Sequence, residues 1–418
     1  MSRDAQLAAV LQWLWRSAPP REVDRKARLL LLDTLGCVIA ASRQPKLRRL
    51  ARQLAKVEPG RIRVPGYAQG FSVSAATYLF ATSACWDEAC EGLARAHGRP
   101  GVPVVAACHA LAQALKCTLG ELLRALVAGY EAGGRMGEAV RMAPGMHVDA
   151  TWPGFGVAVA MVRLSGGNAA QALDAVRVAA CQVPRSLYLP VKAGADARNT
   201  YLAHAAQLGL IAAHASLAGL SAPAEVLDAI GAGRFAPAGS WLLPEGYLKP
   251  FAAVRHVHYG AAAALALRPN LAGRLRAITR IELSTYAEAL TYCGNRAPKT
   301  PIQAQFSLSF GVAAALATGD LGPSAYAMDD RRIAALEKKV LLSEDRALTR
   351  AGRRGATLVI RMGNERLVHR VRRVSGDPGQ PMARAEVLAK FARYSGRAAA
   401  TGARWLDSPG RTPLSRMR

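Results

Sequence analysis

The chain has 418 residues, enough to bury a large core and to form more than one domain. Hydrophobic residues make up 51% and aromatics only 6%, so the interior is built from Ala, Leu and Val, which favours closely packed helices over ring-packed sheets. The formal charge of +26 is uneven, with 21 Lys/Arg against 7 Asp/Glu over residues 331–418. No zinc-finger spacing, aromatic strand motif or basic heptad accompanies it. A nucleic-acid partner is therefore not expected, and the charge reads as a solvated face or as attraction for a small anion.

In chain order, residues 5–18 and 22–41 read as helices, and 44–56 as a basic amphipathic segment. Residues 73–84 form a small-residue helix that delivers Asp87. Helices over 102–115 and 119–140 follow, divided near Thr118, and Glu131 and Arg135 are spaced as an i,i+4 pair in the second. Gly129, Gly133, Gly134 and Gly137 would weaken that helix in isolation, so they imply close backbone packing. Residues 151–164 and 169–181 repeat the helical pattern around Gly166-Gly167-Asn168. Residues 199–217 form a central apolar helix, 237–250 a loop rich in Pro, Gly and Trp, and 259–267 a stretch of mostly Ala and Leu.

Near residue 270 the texture changes. Residues 278–286 alternate as a half-buried strand does, 306–317 read as a helix, and 356–362 with 366–374 form a hairpin around Gly363-Asn364. Residues 386–394 close the pattern, and the tail after Ser395 is weakly patterned. The fold class is mainly α: a large all-helical domain over 1–268, completed by 395–418, plus a smaller α+β lid domain over 269–394.

Seven cysteines lie at irregular spacing without a CxxC, which fits a reducing cytoplasm. Cys85, Cys90 and His97 match no zinc spacing, so no metal is expected. Arg3 and Asp4 follow Met1 with no apolar signal core. Residues 199–224 lack charge and could span a bilayer, but His204, Gln207 and His214 favour a buried helix, and no membrane association is expected.

The chemistry-bearing residues sit in islands between these helices. Asp87 and His97 lie ten residues apart, too far for one helical face, so a loop must bring them together. A carboxylate bonded to imidazole would fix its tautomer and suit it to general acid–base work; otherwise Asp87 caps a helix and His97 ends one. His147 follows Pro144-Gly145 in a turn. Lys192 lies between Pro190 and Gly194, and Lys249 precedes Pro250, positions that order a lysine. Arg255 can clamp a carboxylate bidentately. His256 and His258 point to opposite sides if extended, so one of them faces a pocket. His109, His204 and His214 read as core residues and His369 as a surface one. No P-loop, nucleophile elbow or dinucleotide fingerprint is present.

Read in order, these islands resemble the MmgE/PrpD family, which includes 2-methylcitrate dehydratase, cis-aconitate decarboxylase and iminodisuccinate epimerase. The resemblance rests on Asp87, His97, Gly145-Met146-His147, the run from Ala193 to Asn199, Lys249-Pro250, Arg255 and His258. Pro298-Lys299-Thr300 with Gln305-Phe306-Ser307-Leu308 looks like the family's small-domain signature. It implies a homodimer without metal or organic cofactor, and an interdomain cleft for a small di- or tricarboxylate. It further implies a lyase that abstracts a proton beside a carboxylate and releases water or carbon dioxide. Asp87, His97, His147 and Lys192 would be catalytic, and Glu91, Lys249, Arg255 and His258 would bind substrate. The chain departs from the family in several places: Glu88-Ala89-Cys90 replaces the acidic run after the first Asp, Glu91 a Thr of decarboxylase-like members, Leu189 a catalytic lysine, Lys192 a His, and Phe310 the decarboxylase's active-site Tyr. A cofactor-independent isomerase of the iminodisuccinate epimerase type, or a non-catalytic relative binding carboxylate or RNA, are the alternatives.

Overall fold

The computed structural model describes residues 2–140, 142–231 and 233–417. It is 58% helical, against roughly 30–35% for an average globular chain, which makes the fold mainly α as expected. The first helices are α1 (Arg3–Arg16), α2 (Arg21–Ala41), α3 (Pro45–Val57), α4 (Val73–Cys85), α5 (Gly101–Ala114) and α6 (Leu119–Ala139). After them come α7 (Pro153–Leu164), α8 (Ala169–Ala180), the short α9 (Leu189–Ala193), α10 (Tyr201–Leu217), α11 (Val226–Ile230) and α12 (Val257–Leu267). Thr118 and Glu121 form a capping box that starts α6 where the sequence places its turn.

Helix α7 is the centre of this unit, packed against α5, α6, α8 and α10. Small residues make that possible. A Cβ on Gly129 of α6 would lie 2.6 Å from the Gly156 carbonyl oxygen of α7. One on Gly209 of α10 would lie 2.3 Å from the Gly154 carbonyl oxygen. Backbones therefore meet at both crossings, and a side chain at either would force the helices apart. The Glu131–Arg135 pair forms at 2.6 Å with both side chains fully buried. Glu131 also accepts from the Leu242 and Leu243 amides, and Arg135 donates to the Ala236 and Ser240 carbonyls. The pair thus fastens the 236–243 segment onto α6.

Two small ladders lie within the helical unit: β1 (Pro59–Arg63) with β2 (Gly70–Phe71), and β3 (Met146–His147) with β4 (Ser186–Leu187). The second unit holds a four-stranded sheet ordered β6-β5-β7-β8, from β5 (Arg280–Thr285), β6 (Val340–Glu344), β7 (Ala356–Met362) and β8 (Glu365–Val371). Strands β5, β7 and β8 are antiparallel, with Leu283 opposite Leu358, and Leu358 opposite His369. Strand β6 runs parallel to β5 and escaped the sequence reading, because a mostly exposed edge strand has no clean alternation. Its helices are α13 (Ala287–Cys293), α14 (Pro301–Gln305), α15 (Leu308–Thr318), α16 (Arg331–Glu337) and α17 (Arg346–Arg350).

Two elements sit elsewhere than the expected division at residue 268 suggests. Helix α12 packs on α15 and on strands β7 and β8, so it belongs with the sheet. Helix α18 (Arg384–Ser395) packs on α2, where buried Lys390 meets buried Asp33 at 2.6 Å and donates to the Ala89 carbonyl at 2.7 Å. Helix α19 (Ala399–Asp407), unforeseen in the weakly patterned tail, packs on α2 and α18. Among the described residues, no helix is long and apolar enough to cross a membrane; α10 ends at Leu217.

Candidate active site

Helix α4 ends at Cys85, and the chain then turns sharply. Glu88 adopts a left-handed φ of 50°, a conformation that costs a side chain with a Cβ and must be held by its surroundings. Asp87 and Glu88 consequently serve different spaces. Glu88 lines a cavity of about 290 Å³, while Asp87 lines a separate one of about 610 Å³.

Glu88 is the hub of the smaller cavity. Its carboxylate accepts from Lys249 at 2.6 Å, from Arg99 at 3.1 Å and from Arg198, and Lys249 also donates to its backbone carbonyl. Arg99 continues the network to Asp149. All five side chains are buried. Burial pushes the Glu88 carboxyl up, but Arg198, Arg99 and Lys249 outweigh it and hold the group well below the usual carboxylate range. Asp149 is likewise raised by burial and lowered further by Arg99.

The remaining walls come from distant segments. A turn at Ala94–Ala96 ends in His97, also left-handed at φ 53°, and the Leu93 amide bonds the Gly98 carbonyl across it at 2.8 Å. That turn seats against α6, where a Cβ on Gly137 would strike the Ala96 methyl at 2.5 Å. The β3–β4 ladder presents His147, stacked on Tyr188 with centroids 5.9 Å apart. The segment before α12 supplies Lys249, Arg255 and His256, and Tyr292 and Arg354 come from the sheet-containing unit. The His256 ring stacks on Tyr292 at 6.0 Å and shares a 2.6 Å hydrogen bond with the Tyr286 hydroxyl.

Five cationic side chains line this cavity (Arg99, Arg198, Lys249, Arg255 and Arg354) against three carboxylates, Glu88, Asp149 and Glu288; Asp377 pairs with Arg255 from outside the lining, so a surplus of one positive charge faces any ligand. Arg198 and Arg255 each retain a buried Nε–H with no partner among the described residues. His147 Nδ1 accepts the Asp149 amide N–H at 3.2 Å, which places the proton of its neutral ring on Nε2. Burial lowers its pKa to about 4, so it stays neutral through the physiological range. Burial takes His256 down to about 3. His97 is exposed at the rim and makes no hydrogen bond with another described side chain.

Of the eight residues singled out from sequence, His97, His147, Lys249 and Arg255 meet in this cavity. Asp87 does not pair with His97: no hydrogen bond or ion pair joins them, because the left-handed Glu88 turns Asp87 to the other cavity. Glu91 sits at the start of α5, not against the cavity. Its Oε1 accepts the Gly101 and Val102 amides at 2.9 and 3.3 Å, serving helix donors that would otherwise go unmet. Burial raises its pKa to about 8. Lys192 is exposed on the surface of α9 and lines neither cavity. His258 is fully buried inside α12, bonded to the Ala253 carbonyl and Arg255; the residue of that pair that faces the cavity is His256. Leu189 is 63% exposed, and Phe310 is buried in a stack on Tyr326.

Glu88, Arg99, Asp149, Arg198 and Arg354 were not foreseen in these roles. Arg99 and Arg198 stand in islands the sequence marked, but nothing local shows that both reach one carboxylate. Among the described residues, no group of three or more His, Cys, Asp or Glu side chains is arranged to hold a metal ion.

Comparison with known proteins agrees with this architecture. No curated protein matches the chain. The MmgE/PrpD N-terminal domain matches residues 5–235, and the MmgE/PrpD C-terminal domain matches residues 251–404. Together the two cover most of the helical unit, the sheet and the cavity-lining segments apart from Tyr247 and Lys249, which fall between the matches; the chain belongs to the MmgE/PrpD family.

Proposed function

We propose that the chain is a lyase that removes a proton next to a carboxylate of a small di- or tricarboxylate and expels water or carbon dioxide. The family is one of lyase-type enzymes, dehydratases among them. The observation that carries the reading is the cationic surplus of the smaller cavity, with two guanidinium groups that keep unpartnered donors.

Glu88 already neutralises part of the charge on Arg99, Arg198 and Lys249. What remains for substrate is the third ammonium hydrogen of Lys249, the free Nε–H groups of Arg198 and Arg255, and the donors of Arg354 that its 3.6 Å pair with Glu288 leaves open. These groups hold the substrate carboxylates and stabilise the enediolate charge that develops as the proton leaves in a dehydration, or as the C–C bond to carbon dioxide breaks in a decarboxylation, where the carbon then takes up a proton. Such preorganised electrostatics is commonly the largest catalytic contribution. His97 is the base in this reading, since its ring is free to accept. His147 donates through Nε2–H and polarises the substrate, because its Nδ1 is committed to the Asp149 amide. The functional unit is taken to be a homodimer.

A second reading, isomerisation without loss of a group, draws on three imidazoles (His97, His147 and His256) that reach one cavity from separate segments. Two bases on opposite faces are what epimerisation requires. Proton NMR in heavy water, with citrate, 2-methylcitrate, cis-aconitate and iminodisuccinate, decides between them. Loss of a group marks a lyase, and deuterium uptake into both stereoisomers marks an isomerase. Either activity must vanish in His97→Ala and Lys249→Ala. Turnover that survives both substitutions, or no exchange with any of the acids, would sink the assignment.

A further inference from the structure

We infer that the larger cavity, of about 610 Å³, is a second ligand site that takes a small zwitterion, a primary ammonium joined to a carboxylate, as in a free amino acid. Three side chains from separate segments line it, and each carries a polar atom with no hydrogen-bond partner among the described residues: Asp87 Oδ2, Gln305 Oε1 and the Tyr326 hydroxyl. They are 6%, 2% and 7% exposed, so bulk water does not solvate them freely. Leaving three such groups unmet in one space is costly, and native interiors rarely do so without a ligand or ordered water.

The chemistry of the three selects the ligand. Gln305 commits its Nε2 to the Trp86 carbonyl at 3.1 Å, so Oε1 is left as a pure acceptor. Asp87 has no cation beside it, and burial, with a smaller push from neighbouring Cys90, raises its pKa to about 7. An ammonium carries three N–H donors and no acceptor, which matches an acceptor-lined floor of carboxylate, amide oxygen and phenol. Arg49 and Lys46 of α3 line the same cavity from its exposed side. Lys46 is paired with Asp196, whereas Arg49 has no ion-pair partner among the described residues. Asp196 lines the cavity too and neutralises Lys46, so Arg49 is the cation left to hold a carboxylate, hence a zwitterion. A volume in the hundreds of Å³ is the usual scale for small-molecule sites.

Because Asp87 and Glu88 are consecutive, the ligand would bear on the turn that positions the hub of the smaller cavity. The site stands apart from the proposed lyase reaction and needs none of its residues. Calorimetric titration of the full chain with glycine, 4-aminobutyrate, methylammonium and acetate tests it. We expect saturable binding of one or both amino acids, weaker binding of methylammonium, and none of acetate. Affinity should fall at least about tenfold in Asp87→Asn and in Arg49→Gln, the tenfold corresponding to one lost charged contact. Asp87→Asn removes an unpaired buried carboxylate, so it does not endanger folding, and Arg49 is on the surface. No saturable binding to the wild-type chain would overturn the inference, as would amino-acid binding unchanged in Asp87→Asn. Methylammonium binding as tight as the amino acids would overturn the zwitterion.

Discussion

Asp87 and Glu88 are neighbours in sequence, both almost wholly buried, and electrostatically opposite. Glu88 meets three cations and is held ionised; Asp87 meets none, and its pKa rises to about 7. Burial costs both carboxylates their hydration. What separates them is which way one left-handed residue turns each side chain, and therefore which partners it finds. The lesson is that a buried acid's charge state follows from its tertiary neighbours and not from its depth.

The comparison can be broken most forcefully at its ionised member. Glu88→Ala leaves Arg99, Arg198 and Lys249 buried without their common counter-ion. Urea unfolding should show a loss of about 3–5 kcal/mol, the usual consequence of stripping one partner from a buried charge network. A loss below about 1 kcal/mol would mean that water already solvates the cations.

At Asp87 the sign reverses. Its folded value of about 7 lies above the roughly 3.9 of an unfolded aspartate, so the folded chain binds the extra proton between those values. Stability should fall as pH rises through that window, by at most roughly 4 kcal/mol from this residue. Glu91, raised to about 8, adds to the same slope. Glu88 acts oppositely: its contribution is present above the unfolded glutamate value and is lost as pH falls towards its depressed folded one. Asp87→Asn should flatten the decline between pH 4 and 7 and stabilise the chain above it, as thermal melts across a pH series would reveal. An unchanged slope would show that Asp87 is paired in solution.

Function separates the cavities further. Lys249→Ala should lower turnover of a carboxylate substrate by about 100-fold or more, as removal of one preorganised charge contact typically does. Lys192→Ala should leave turnover within about twofold, since that side chain is exposed and lines neither cavity. A large effect at Lys192 in steady-state rates would require the α9 segment to move over the cavity during turnover.

Much of the fold was legible because its signals are local. Helices α4 to α8 end within about two residues of where Ala/Leu periodicity, Thr118, and Gly166-Gly167-Asn168 place their limits. The hairpin around Gly363-Asn364 was equally plain, for alternation and a turn pair are properties of neighbouring residues. Strand β6 and helix α19 were not visible, since an exposed edge strand and a surface helix owe their form to the surfaces they dock on. Within the candidate site, the islands were legible as places where His, Lys and Arg interrupt apolar helices. Their pairing was not. His256 and His258 illustrate why: two positions separated by a single residue in the same segment offer equivalent imidazoles, and only the packing of α12 on the sheet decides which is fully buried.

By itself, then, the sequence determined the helical composition, the limits of helices α4 to α8, the sheet-bearing texture after residue 270 and the order of motifs that marks the family. Periodicity, capping and turn chemistry act over a few residues and can be read there. Tertiary structure alone decided that Glu88 rather than Asp87 holds Arg99, Arg198 and Lys249, that Glu91 serves a helix terminus, and that Lys192 faces solvent. The first outcome depends on Arg198 and Lys249, each more than 100 residues from Glu88, converging on one carboxylate and on the left-handed turn that aims it, and no local pattern encodes either.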